Sequence, residues 1–234
     1  MQERKYYEAY DDRYRQVHGK SLKWFSGLNS KIVDEVIEKY NITTASKLLE
    51  IGCGEGRDAI HLLRNGYHLL ATDISPAAIE YCRKHCPEYP DAFQVLNCLA
   101  DRAEEAYDFI YAIAVLHMLI LDEDRAQFYR FIYDQLSDTG IALICTMGDG
   151  KEERGPNTSD VRKLHKNAFK LETRLHEETG KTIRIASTSC RKVSFETIHG
   201  EIASSNLEIV ESGLTSMEPD FPVVMFAVVK RKEV

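Results

Sequence analysis

Three glycines at alternate positions, Gly52, Gly54 and Gly56, stand between two acids, Glu50 and Asp73, and this spacing is the part of the chain best suited to chemistry. Glycines let the backbone turn tightly and let a ligand reach main-chain N–H groups that a side chain would shield. Asp73 follows Gly52 by 21 residues, at the tip of an apolar run, where a carboxylate accepts hydrogen bonds from ribose hydroxyls. Glu50, directly before the loop, is a poor neighbour for a pyrophosphate but suits a ligand with an ammonium or sulfonium charge. The spacing is G-x-G-x-G, and Arg57 stands where the dinucleotide fingerprint has its last glycine. That departure argues against an NAD-dependent oxidoreductase. His117, beyond the longest apolar run, has a side chain that titrates near neutrality and is a candidate for removing a proton from a nucleophile, or else for a pocket wall or a helix cap.

These residues need strands and helices to hold them. Leu48, Leu49 and Ile51 form an apolar run that reads as a buried strand entering the glycine turn. Helical spacing follows from Arg57, with Ile60 and Leu63 on one face and Asn65-Gly66 closing the helix. A second strand over residues 68–72 delivers Asp73. Ahead of this unit, Ser30 is placed to cap a helix over residues 31–40 whose Ile32, Val33, Val36 and Ile37 make one apolar face. After it, Ser75-Pro76 opens a helix with Ile79, Cys82 and Cys86 inward. Further strands are expected over residues 92–96, 107–115, 141–147, 207–214 and 223–229, with an amphipathic helix over residues 124–136. The run 107–115 is continuous enough to be buried on both faces.

The sequence E-I-G-C-G-E-G-R-D-A, followed by A-T-D-I-S, resembles the first two motifs of the class I S-adenosylmethionine-dependent methyltransferases. The small-molecule enzymes of the tellurite-resistance and thiopurine type are the loosely similar subgroup. The resemblance implies an α/β, Rossmann-like fold: a seven-stranded, mostly parallel sheet with helices on both faces and an antiparallel last strand. It implies S-adenosyl-L-methionine as cofactor and S-adenosyl-L-homocysteine as product. The ribose falls to Asp73, the methionine part to Gly52, Cys53, Gly54 and Gly56 near Glu50, and the adenine to a place between Ile74 and the Asn97-Cys98 turn. Ala112 and Ile113 end the fourth strand beside the ligand. Asn97 stands where the family usually has an acid, an amide still able to donate to and accept from a purine edge; Asp101 is its rival. An N-terminal cover over residues 1–40 is expected to close the cleft with Tyr10, Tyr14 and Trp24, rings that would equally pack a helix onto the sheet.

Residues 148–190 read as an insertion between the fifth strand and the next helix, with a helix through Lys170 and Arg174 and then a β-like run. In this family such insertions build the substrate site, so this one is expected to be a substrate-side cap within a single domain spanning 1–234. Arg191, next to it, is the preferred cation for a substrate carboxylate. Thirty basic and 37 acidic residues give a net charge of −7, which argues against general affinity for nucleic acid or anionic membrane. No stretch approaches the roughly 18 apolar residues needed to span a bilayer, and the expected location is the cytoplasm. Six scattered cysteines read as reduced thiols, and no metal site is expected, Cys82, His85 and Cys86 lacking a second ligand pair at zinc spacing. The expected partner is a small-molecule methyl acceptor, and the chain is expected to be a monomer or homodimer. The alternatives are a protein or RNA acceptor, or a non-catalytic module that binds S-adenosylmethionine.

Overall fold

The computed structural model describes residues 4–24, 27–155, 160–176 and 179–233. Helix α1 (Ala9–His18) precedes α2 (Lys31–Lys39), and the chain then alternates: β1 (Lys47–Ile51), α3 (Arg57–Arg64), β2 (His68–Asp73), α4 (Pro76–His85), β3 (Phe93–Val95), β4 (Tyr107–Ile113), α5 (Asp122–Gln135), β5 (Leu136–Met147). The insertion supplies α6 (Val161–Ala168), β6 (Leu171–His176) and β7 (Lys181–Ala186), after which α7 (Phe195–Ala203), β8 (Leu207–Met217) and β9 (Phe221–Arg231) complete the fold. Seven strands form one sheet in the order β3-β2-β1-β4-β5-β9-β8. Strands β1 to β5 are parallel, and β9 runs antiparallel to both its neighbours. The expected fold, including the antiparallel last strand, is the one observed.

Alternation along the strands divides the core in two. Leu48, Leu69, Phe109 and Ile141 stand in one row across the sheet and face α2, α3 and α4. Their chain neighbours Leu49, Ile110 and Ala142, with Val229, face α5 and α7. Each fully buried Leu, Ile or Phe here contributes about 1.5–3 kcal/mol of transfer free energy. With β1 and β4 both central and covered on both faces, only their carboxyl ends are open to a ligand. The strand order reverses between these two, which is where open α/β sheets take their ligands.

Two local expectations are corrected. Ser30 precedes α2, but its hydroxyl does not cap that helix: Ser30 donates from its backbone N and from Oγ to the Asp58 carboxylate, at 2.5 and 2.9 Å. The buried Asp58 at the start of α3 outcompetes the local cap because a buried charge needs its partners more than an exposed helix end does. The helix expected through Lys170 and Arg174 stops at Ala168, and Arg174 pairs with Ile183 in an antiparallel hairpin of β6 and β7. The β-branched run of β7 requires a partner for its backbone groups, and Leu171–His176 supplies one. This hairpin is a separate two-stranded sheet and packs on α1, where Val17, Ile183 and Ile185 form a small apolar cluster.

Candidate active site

Strand β1 ends at Ile51 and the chain turns at once. Gly52 and Cys53 both donate to the Thr72 carbonyl, at 2.7 and 2.8 Å, so the loop is stitched to the end of β2. Gly52 has φ +74, and a Cβ there would stand 2.4 Å from the Val115 side chain; Gly54 has φ +54, and a Cβ there would stand 2.6 Å from the Tyr14 hydroxyl. Neither position has room or backbone geometry for a side chain. Gly56 precedes α3 as its N-cap.

Asp73, the last residue of β2, is brought to this loop. Its Oδ2 accepts from Gly54 N at 2.9 Å and its Oδ1 from Ser75 N at 2.8 Å. Burial pushes its pKa up to about 6, although the two N–H donors pull the other way. Glu50 is 2% exposed and accepts from the Tyr111 hydroxyl at 3.1 Å. Burial first, and then the Asp58 charge, hold its carboxyl well above the ordinary range. Two carboxyls whose ionisation is suppressed by burial thus flank a loop of main-chain donors. A ligand that brings a positive charge to Glu50 and hydroxyl donors to Asp73 relieves both.

A cavity of roughly 570 Å³ opens over this loop. Glu50, Gly52, Cys53, Gly54, Asp73, Ile74, Asn97, Cys98 and Ile113 line it, together with Tyr10 and Tyr14 of α1. Asn97 is fixed by accepting from Leu99 N at 3.0 Å, while Asp101 accepts from Asn97 N at 2.8 Å and shapes the turn from behind. Burial raises the Cys98 thiol to about 12. Gly56 and Ala112 support the wall without lining it; Ala112 is 1% exposed and packs on the α5 side of the sheet.

The remaining expected residues lie elsewhere. Trp24 is absent from the lining: its ring packs 4.8 Å from the Arg13 guanidinium, and its backbone N donates to Glu55 at 2.7 Å. Arg191 is absent too, since its guanidinium donates to the Ile120 carbonyl and to Asp122. His117 is 5% exposed and does not line the cavity. Desolvation, and then the charges of Arg125 and Lys192, lower its pKa to about 3, and its Nδ1 is buried without a hydrogen-bond partner among the described residues. A ring this reluctant to take a proton is a weak general base. None of the described residues of 148–190 lines the cavity either.

Sequence reasoning passed over Arg57, Asp58, Leu119 and Phe221, all of which do line it. Arg57 ties the loop to the β8–β9 turn, donating to Asp220 at 2.9 Å and to Ser30 Oγ at 3.0 Å. Its signal was its position directly after the third glycine. Phe221 carried none, because its approach depends on a turn about 165 residues away in the chain.

Comparison with known proteins falls on the same elements. Residues 49–142 match the model of a methyltransferase domain. Hemagglutinin 1 of Eikenella corrodens is 38% identical over 78 residues, 31% of this chain and 25% of that protein. The mitochondrial ubiquinone biosynthesis O-methyltransferase of Schizosaccharomyces pombe is 30% identical over 110 residues, 37% of this chain and 40% of its own length. The aligned part thus spans less than half of either relative. Among solved structures, the 1,6-didemethyltoxoflavin-N1-methyltransferase of Burkholderia thailandensis, with bound 1,6-didemethyltoxoflavin and S-adenosylhomocysteine, superposes with a TM-score of 0.68 at 12% identity, covering 96% of this chain and 88% of that one. At that identity the likeness is one of fold. The methyltransferase-domain match takes in the glycine loop and both of its flanking acids, Glu50 and Asp73, and the sheet around them has the fold of that solved methyltransferase.

Proposed function

We propose that the chain transfers the methyl group of S-adenosylmethionine to a small-molecule acceptor, releasing S-adenosylhomocysteine. The observation that carries this is the pairing of Glu50 and Asp73 across the glycine loop inside a single cavity. Asp73 takes the ribose hydroxyls, Glu50 faces the cationic methionine part, and Ile74, Asn97 and Cys98 receive the adenine. Tyr10 and Tyr14 cover the ligand from α1. The acceptor's nucleophile attacks the methyl carbon in line with the departing sulfur, and the carbon–sulfur electron pair stays on sulfur as the thioether. With His117 away from the cavity, the rate rests on alignment, on exclusion of water and on the reactivity of the sulfonium itself.

The names of two relatives, a ubiquinone-pathway enzyme and a toxoflavin-precursor enzyme, support a small acceptor, and so does the net charge of −7. The region 148–190 is proposed as a cap that acts on the acceptor through α1, since Arg13 of α1 donates to the Ala186 and Ser187 carbonyls, each at 2.8 Å. Calorimetric titration with S-adenosylmethionine, S-adenosylhomocysteine and NADH tests the cofactor. Binding of the two sulfur compounds and not of NADH is expected, followed by label transfer from methyl-labelled cofactor to members of a panel of small amines, phenols and thiols. Binding of NADH alone would overturn the assignment.

A further inference from the structure

Two thiols meet beneath the glycine loop, and methyl transfer uses neither of them. Cys53 sits between Gly52 and Gly54, and Cys82 lies in the second turn of α4. The Cys82 thiol donates to the Gly54 carbonyl at 3.3 Å, and Cys53 Sγ reaches that same oxygen at 4.0 Å. The two sulfurs also share a hydrogen bond, which together with burial holds the Cys53 thiol well above its usual acidity range. Both belong to one apolar cluster, at 5% and 0% exposure. The loop lies tight against them, for a Cβ on Gly56 would stand 2.9 Å from Cys82 Sγ. Cys53 lines the cavity, and the cavity is the route by which a small oxidant reaches it.

We propose that Cys53 and Cys82 form an oxidation site, in which hydrogen peroxide joins the glycine loop to α4 by a disulfide and so closes the loop to its nucleoside ligand. The closure rests on the reading of this loop as the seat of the cofactor. In the first step Cys53 sulfur attacks one peroxide oxygen, giving a sulfenic acid and water. Cys82 sulfur then displaces the sulfenic hydroxyl, which leaves as water with the Cys82 proton; two electrons pass from the sulfurs to the peroxide. Bonded sulfurs stand closer than hydrogen-bonded ones, so the loop is drawn toward α4. The Gly54 carbonyl loses its thiol donor, and the Gly54 N–H that holds Asp73 moves with it. Because the attacking Cys53 thiol is buried and held above its usual acidity range, the reaction is slow and speeds up as pH rises. A bound ligand covers Cys53 and slows it further.

The test uses the full chain with Cys190→Ser, which removes the exposed thiol. After timed exposure to hydrogen peroxide, free thiols are alkylated, the Cys53–Cys82 peptide is sought by mass spectrometry, and S-adenosylhomocysteine binding is titrated before oxidation, after it and after dithiothreitol. A Cys53–Cys82 cross-link is expected, with binding roughly tenfold or more weaker, as when a hydrogen bond to the ligand is displaced, and restored on reduction. Cys82→Ala should form no cross-link and keep its affinity through the same exposure. Absence of the cross-link after Cys98 has reacted overturns the thiol site alone. A cross-linked chain that binds as tightly as the reduced one overturns the closure. A reduced chain that binds no S-adenosylhomocysteine overturns the cofactor reading, and the closure with it.

Discussion

The corner where β1 meets β2 and the hairpin of the insertion differ in what their polar groups do. At the corner, Glu50 and Asp73 are buried with few partners, and their carboxyls are pushed toward the neutral form. In the hairpin, Glu172 and Arg174 pair with each other at 2.7 Å at the surface, while Leu171 and Leu175 are 48% and 65% exposed. The corner holds unfavourable electrostatics that a ligand can relieve, whereas Glu172 and Arg174 of the hairpin already satisfy each other. A region prepared for a ligand is recognised by incomplete satisfaction, not by abundance of charge.

The largest effects should separate the scaffold of the corner from the hairpin. Leu62 is 1% exposed on the face of α3 that supports the loop, and Leu62→Ala should lower unfolding stability by about 2–5 kcal/mol, measured by urea denaturation. Leu175→Ser, at an exposed hairpin position, should stay within about 0.5 kcal/mol of the parent chain. Equal losses would mean that the hairpin belongs to the cooperative core. Next in size, Asp73→Ala should cost about 1.5–3 kcal/mol of cofactor affinity, the worth of a charge-assisted hydrogen bond. Unchanged affinity in a calorimetric titration would remove Asp73 from the ribose.

The same contrast shows what could be read in the sequence. Glycine spacing, the acid at the tip of β2 and the apolar faces of α2 and β4 were legible because each arises from a local rule of backbone conformation or periodicity. Asn97 and Cys98 were expected beside a ligand from the resemblance, although Asn97 replaces the usual acid, and both do line the cavity. Misreadings came where a distant partner decided the outcome. Ser30 resembles a cap, but its hydroxyl goes to Asp58; Arg191 resembles a free cation, but Asp122 and the Ile120 carbonyl hold it. Trp24 belongs to the aromatic segment, yet Arg13 draws its ring away from the cavity. Residues 25–26, within the same aromatic segment, lie outside the described residues.

A pH titration sharpens the comparison further. Asp73 has a folded pKa of about 6, above its usual value near 3.8, so between these pH values the folded unliganded chain binds more protons than the unfolded one. Its contribution to stability therefore falls as pH rises through this window. Cofactor affinity should change the opposite way, because ribose hydroxyls donate to the ionised carboxylate and the cationic part favours ionised Glu50. Affinity for S-adenosylmethionine should weaken by up to about tenfold per pH unit below 6. At pH 6, binding should release protons, which calorimetry in buffers of different ionisation enthalpy would detect. Affinity that is flat from pH 5 to pH 8 would place the ionisable groups away from the ligand.

The smallest effect is expected at His117, and it discriminates most sharply between a residue that resembles a catalyst and one that acts as one. Its ring is buried, its Nδ1 has no partner among the described residues, and its pKa is lowered to about 3. The ring is consequently neutral throughout the range in which the protein would work. Replacing a buried, unsatisfied polar group by an apolar one of similar size removes a desolvation cost, so His117→Leu should change stability by no more than about 1 kcal/mol, in either direction. Cofactor affinity should be unchanged, and the pH profile of transfer between pH 5 and pH 8 should keep its shape. A drop in turnover of about a hundredfold, the size general-base catalysis contributes, would mean that His117 reaches the acceptor after all. That result would require the segment around Arg191 and Lys192, whose backbone N at Arg191 donates to the His117 carbonyl at 2.7 Å, to swing aside during turnover.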